Sequence, residues 1–179
     1  MPQAKPLISA RRPWPGYLAA LVAGGFSTLT FAPFHLWWLG PVAVALMYLD
    51  HHRLSVGQAA LRGWLFGVGL FGTGTSWVYV SIHDYGYTGV PLALFLTALF
   101  VATLALFHAF IFGLYRRFTS PRLAFLSFAG VWVLGEAFRS WAFTGFPWLL
   151  LGSAHVDSPL APWAPIGGVY LLSLIVVLS

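Results

Sequence analysis

Cysteine is absent from the 179-residue chain, which excludes disulfides, thiolate metal sites and a cysteine nucleophile. Charge is scarce as well. Charged residues make up 7% of the sequence, against about 25% in a typical soluble domain. So few charges cannot cover a water-facing surface, and lipid must be the solvent for much of the chain. There is no Gly-rich phosphate loop, no metal-ligand cluster, no low-complexity tract and no nucleic-acid motif. Ser, His and Asp are scattered over separate loops, so no nucleophile–base set stands out. The sequence by itself therefore implies no cofactor, no metal, no nucleic-acid partner and no enzyme chemistry.

What the chain has in abundance is apolar sequence: 59% hydrophobic residues and a mean hydropathy of +0.83. A helix needs roughly 20 residues to cross a bilayer core. The hydrophobic runs predict an all-α, polytopic transmembrane bundle of about six spans. These lie near Tyr17–Phe31, Leu36–Leu49, Leu61–Ile82, Val90–Tyr115, Leu123–Phe143 and Ile166–Ser179. Residues 1–16 form a basic N-terminal segment, and residues 17–179 the transmembrane domain. Basic residues before an apolar run resemble a signal peptide. Another apolar run follows at once, with no small-residue cleavage site leading to a soluble domain, so a retained anchor is expected. The first two spans are short and predict a shallow hairpin. The sixth has 14 residues, about 21 Å of helix, and Pro159, Pro162 and Pro165 prevent its backward extension. The sequence thus reads as a truncated sixth span and a fragment of a longer protein.

Charge placement predicts the orientation. With the N-terminus in the cytoplasm, Lys5, Arg11, Arg12, Arg53, Arg62, Arg116, Arg117 and Arg122 fall on or near the cytoplasmic side, and only Arg139 lies towards the other. This is the positive-inside pattern, and it accounts for the net charge of +5 as a topology signal. The external segments are then Ala32–His35, His83–Gly89 and Thr144–Pro165. Aromatic residues gather there, Phe34, Tyr85, Phe146, Trp148 and Trp163 among them.

Few residues invite a chemical role. Gly63, Gly67 and Gly74 lie near one face of the third span, and Ala98, Ala102, Ala105 and Ala109 form a stripe on the fourth. Both read as close helix packing. His108 is an intramembrane histidine with no carboxylate near it in sequence, so a hydrogen bond to a neighbouring helix is expected. Asp50-His51-His52 reads as a solvated turn, as do His83-Asp84 and the loop residues His155 and Asp157. Glu136 and Arg139, three apart on the fifth span, share a face. Burying either alone is costly, so they are expected to pair. Two roles stay open for them: a structural ion pair, or a polar lining near a headgroup or substrate.

Taken in order, six stretches resemble one family. They are Phe31-Ala-Pro-Phe34, Gly67-Val-Gly-Leu-Phe-Gly72, Trp77-Val-Tyr-Val-Ser-Ile82, Glu136-Ala-Phe-Arg139, Thr144-Gly-Phe-Pro-Trp148 and Ala164-Pro-Ile-Gly167. The chain resembles the N-terminal membrane domain of apolipoprotein N-acyltransferases. That resemblance implies a bacterial inner-membrane protein. Membrane phospholipid would be the acyl donor, and the N-terminal cysteine of a diacylglyceryl-modified apolipoprotein the acceptor. It also implies a nitrilase-like domain with a Glu-Lys-Cys triad and a thioacyl intermediate. That domain and its triad are absent from this chain, so no catalytic residue is expected here. As the resemblance implies it, Phe146, Pro147 and Trp148, with Glu136 and Arg139, would line a lipid-substrate entrance. A small transporter subunit would need paired broken helices or midplane ionisable residues, and only Glu136 and His108 come close. A non-catalytic membrane scaffold would bind a partner through the aromatic external loop.

Overall fold

The computed structural model describes residues 14–179. Lys5, Arg11 and Arg12, on which the reading of the N-terminal segment rests, lie outside the described residues.

Seven α-helices follow one another, with no strand among the described residues. Helix α1 spans Trp14–Ser27 and runs into a tight turn at Thr28–Thr30. Helix α2 (Leu39–Tyr48) is followed by a turn at His51–Arg53. Helix α3 (Val56–Gly74) opens on a capping box, in which Ser55 Oγ accepts from the Gln58 N–H and Gln58 Oε1 from the Ser55 N–H. The short α4 (Trp77–Val80) continues as a π turn, Ser81–Tyr85. Helix α5 (Val90–Phe118) has Pro91 in its first turn and Arg116 and Arg117 in its last, as the helix dipole favours. Helix α6 covers Ala124–Trp141 and α7 Ala164–Leu178. Gly167 and Gly168 interrupt α7; Gly168 sits at φ +63°, a conformation that only glycine adopts without strain.

Two stretches, Val90–Phe118 and Ala161–Leu178, are long and apolar enough to cross a membrane. The third expected span, residues 61–82, falls on two helices. Residues 56–74 and 77–85 are bent by 56° about a short break, and only taken together are they long and apolar enough for one span. Thr75 and Ser76 sit at that break. Helices α1 and α2 have 14 and 10 residues, or about 21 and 15 Å, short of the roughly 30 Å hydrocarbon core.

The core is a seam of α1, α3 and α5. A Cβ added to Gly69 of α3 would stand 2.2 Å from the Leu21 carbonyl oxygen of α1, and one at Gly24 2.0 Å from that of Phe66. On the other face of α3, Gly63 and Gly67 meet His108 O and Ala105 Cα at 2.5 and 2.8 Å by the same measure. Small residues let the backbones touch, which is how helices associate where water cannot drive them together. Gly74 instead faces Leu149 and Thr28. Of the alanine stripe, Ala105 is fully buried, while Ala98 is exposed.

Part of the Arg-bearing end is closed by Arg62, while Arg53, Arg117 and Arg122 are exposed. Arg62 is buried and donates to the carbonyls of Leu49 (2.7 Å) and Leu46, occupying acceptors that the end of α2 leaves free. The expected solvated turn at Asp50-His51-His52 is only half so. Asp50 and His52 are exposed, but His51 is completely buried against the rings of Phe112, Tyr115 and Phe128. Its Nδ1 lies 3.3 Å from Met47 O. Alternation of histidine and apolar spacing gave no signal for this, because the packing partners come from α5 and α6.

Candidate functional site

The end opposite the Arg62–Arg116 cluster is built around the loop joining α6 to α7. Its first part is conformationally costly. Phe143 (φ +52°), Thr144 (+78°) and Leu149 (+57°) are non-glycine residues in the left-handed region, with Gly145 at +84° among them. Such residues cost on the order of 1–3 kcal/mol each and persist only when their surroundings hold them.

Arg139 supplies much of that hold. It is 2% exposed, and its Nη1 donates to the carbonyls of Phe146 and Trp148, both at 2.6 Å. The Arg139 carbonyl in turn accepts from the Phe146 N–H at 2.8 Å. The guanidinium also lies 5.2 Å from the ring centre of Phe71 on α3, a cation–π contact. Glu136, 7% exposed and one turn earlier on α6, accepts through Oε1 from the Leu151 N–H (2.7 Å) and from Trp132 Nε1 (3.3 Å). Ser173 of α7 completes the brace by accepting from the Gly152 N–H at 2.8 Å.

The expected Glu136–Arg139 ion pair is therefore not formed: among the described residues the salt bridges are His35–Asp157, Arg53–Asp50 and His83–Asp84. The two side chains share a face of α6, as their spacing requires, but Arg139 bonds loop carbonyls and Glu136 the Leu151 N–H and Trp132 Nε1. Charge-assisted bonds to fixed carbonyl and amide groups offset the burial of each ion without direct contact. Ser173, Trp132 and Phe71 carried no sequence signal for this role; Phe71 stands out only as part of the Gly67–Gly72 stretch.

Of the five candidate residues, Pro147 and Trp148 face an open groove of about 560 Å³. Its other wall comes from the turn after α1, through Phe31, Ala32 and His35. Trp148 is 53% exposed there, and its ring stacks on Phe146 at 5.5 Å and approaches Trp77 at 6.4 Å. Phe146 lies beneath, against Phe71 and Phe100. Glu136, Arg139 and Phe146 do not line the groove. They set the loop that does.

Other loop residues divide. Asp157 is exposed and meets His35 across the groove at 3.3 Å. His155, expected in solvent, is 1% exposed, and burial lowers its basicity. Its Nδ1 lies 3.1 Å from Ser158 Oγ. His108 does not make the expected interhelical hydrogen bond. Its Nδ1 has no partner, and its ring is surrounded by Phe66, Phe71 and Phe112. No group of three or more His, Asp or Glu residues is placed to hold a metal ion among the described residues.

Apolar crossing helices, glycine-mediated packing and a strained loop pinned by buried charges at one end define a polytopic helical membrane domain. The family model for the apolipoprotein N-acyltransferase N-terminal domain matches residues 23–179, and the chain belongs to that family. Curated relatives named apolipoprotein N-acyltransferase agree. The protein of Pseudomonas syringae pv. tomato is 51% identical over 164 residues, covering 89% of this chain and 32% of its own length. That of Pseudomonas aeruginosa is 47% identical over 174 residues, covering 95% and 34%. That of Coxiella burnetii is 47% identical over 161 residues, covering 88% and 33%. The chain thus spans about a third of the length of these relatives.

Proposed function

We propose that this domain serves an apolipoprotein N-acyltransferase, holding lipid-borne substrates for transfer of an acyl chain from phospholipid to the N-terminal diacylglyceryl-cysteine of a lipoprotein. Family membership supports the activity, which belongs to a longer protein with a nitrilase-like domain. The groove between the turn after α1 and the 147–157 loop carries the local reading: it is open and has Phe31 and Trp148 in its walls. In this proposal Trp148 and Pro147 wall the lipid entrance and Phe146 supports them. Glu136 and Arg139 act as positioning residues. The chain is a multi-pass protein of the bacterial inner membrane with its N-terminus and its Arg-bearing end cytoplasmic. Helices α1, α2 and α6 complete a six-span domain over residues 17–179. The skew of arginines to one end supports that orientation.

The test grafts this domain in place of the matching region of the Pseudomonas syringae relative and measures acyl transfer to a diacylglyceryl lipoprotein. Trp148→Ala is expected to slow transfer at least tenfold at normal protein level, with Trp148→Phe retaining most of the rate. An unchanged rate in the alanine variant would remove Trp148 from the entrance.

A further inference from the structure

Two small voids lie between the helices beside the groove, the second sharing Thr30, Phe31 and Leu149 with it. The first is bounded by His108, Ile111, Trp132, Glu136 and Arg139, the second by Ser27, Thr30, Phe66, His108, Trp132 and Glu136, among others. Each has about 20 Å³ of room for the centre of a water-sized sphere. One water needs roughly 10–15 Å³ by that measure, together with two to four polar partners.

Polar partners are present and idle. Among the described residues, five buried side-chain atoms lack a hydrogen-bond partner: His51 Nε2, Arg62 Nε, His108 Nδ1, Glu136 Oε2 and His155 Nε2. His108 and Glu136 are the two of these residues that border the voids, and both border both. Arg139 borders the first void and spends only Nη1 on the loop carbonyls. At the second, Ser27 Oγ and Thr30 Oγ1 donate to carbonyls of their own helix and turn, and each keeps an oxygen able to accept. A void lined only by apolar groups stays dry, but one bordered by a carboxylate, an imidazole and a guanidinium does not, because leaving a buried polar atom unpaired is costly.

We propose that two buried waters occupy these voids and join the His108 imidazole to the Glu136 carboxylate, forming a hydrated polar centre inside the bundle. One water donates to Glu136 Oε2 and receives from Arg139. The other bridges Glu136 and His108 and donates to Ser27 or Thr30. Glu136 thereby has both oxygens engaged, Oε1 with Leu151 and Trp132, Oε2 with water. The link that α5 and α6 do not make directly is made through solvent.

The experiment is water-edited solid-state NMR on ¹⁵N-histidine-labelled protein in lipid bilayers, with the His108 signal assigned by its loss in His108→Gln. Magnetisation transfer from water to His108 as fast as to the exposed His52 is the expected result. A visible His108 signal that receives none would overturn the proposal. Density maps at about 2 Å give an independent check that needs no variant. Two peaks at hydrogen-bond distance from His108 Nδ1 and Glu136 Oε2 are expected. Empty voids, or a direct His108–Glu136 bond, would refute it.

Discussion

Arg139 and Phe146 are tied twice: the Phe146 N–H donates to the Arg139 carbonyl at 2.8 Å, and the Arg139 guanidinium donates to the Phe146 carbonyl at 2.6 Å. This double tie fixes the start of the strained loop to the end of α6. Arg139→Met leaves the Phe146 and Trp148 carbonyls without their donor, and each unpaired buried group costs about 1–3 kcal/mol. Thermal unfolding in detergent should show a loss of roughly 3 kcal/mol. Arg139→Lys, a point charge without the planar fork, should recover only part of it. Equal stability of the methionine variant and the parent would show that the tie is dispensable.

Glycine substitutions should separate along α3. Gly69→Ala drives a methyl group into the Leu21 carbonyl, and backbone cannot yield as a side chain does. A loss of about 1–3 kcal/mol is expected. Gly57→Ala, where nothing lies within 4 Å, should be neutral or stabilise by up to about 1 kcal/mol. The two unfolding midpoints, read against the parent, check both.

The spacing of Gly63 and Gly67 made close packing of α3 legible in the sequence, though not which helix it meets, and the long run from Val90 made α5 so. Of the five candidate entrance residues only Pro147 and Trp148 line the groove, and how the other three are wired was not legible. Glu136, Arg139, Phe146, Pro147 and Trp148 do converge, yet helical spacing predicted that Glu136 and Arg139 would bond each other. Periodicity reports which side chains share a face. It does not report that a loop returning 7 to 15 residues later will present carbonyls and an amide to that face. The same blindness hid His51, whose burial depends on rings from α5 and α6.

Burial against those rings, with Arg62 and Arg116 nearby, lowers the His51 pKa from 6.5 to about 4. The unfolded chain therefore binds more protons between those values, and stability falls as pH drops below about 6.5, until the folded form also protonates near 4. Between pH 7.5 and 5 the loss should be about 2 kcal/mol. His51→Phe should flatten that part of the profile. A profile that keeps its slope in the variant would assign the effect elsewhere.

The proposed orientation is open to a clean chemical test, because the chain has no cysteine to give background. Ser120→Cys lies after α5 at the Arg-bearing end, and Val156→Cys in the loop before α7; both positions are exposed. In intact cells with a permeable outer membrane, an impermeant maleimide should label Val156→Cys and spare Ser120→Cys until the inner membrane is broken. The reverse pattern would invert the topology.

Where Gly24 and Gly69 bring the backbones of α1 and α3 into contact, their nearest neighbours are backbone atoms, with no side chain to change rotamer. Such a seam has one arrangement and no nearby alternative. The turn after α1 that carries Phe31 and Ala32 is mounted on it, so this side of the groove is a fixed jaw. The opposite side hangs on Arg139, Glu136 and Ser173 through hydrogen bonds that a change of pairing can release. The width of the groove on the 147–157 side thus rests on the hydrogen bonds of three side chains, while the opposite side rests on backbone contact.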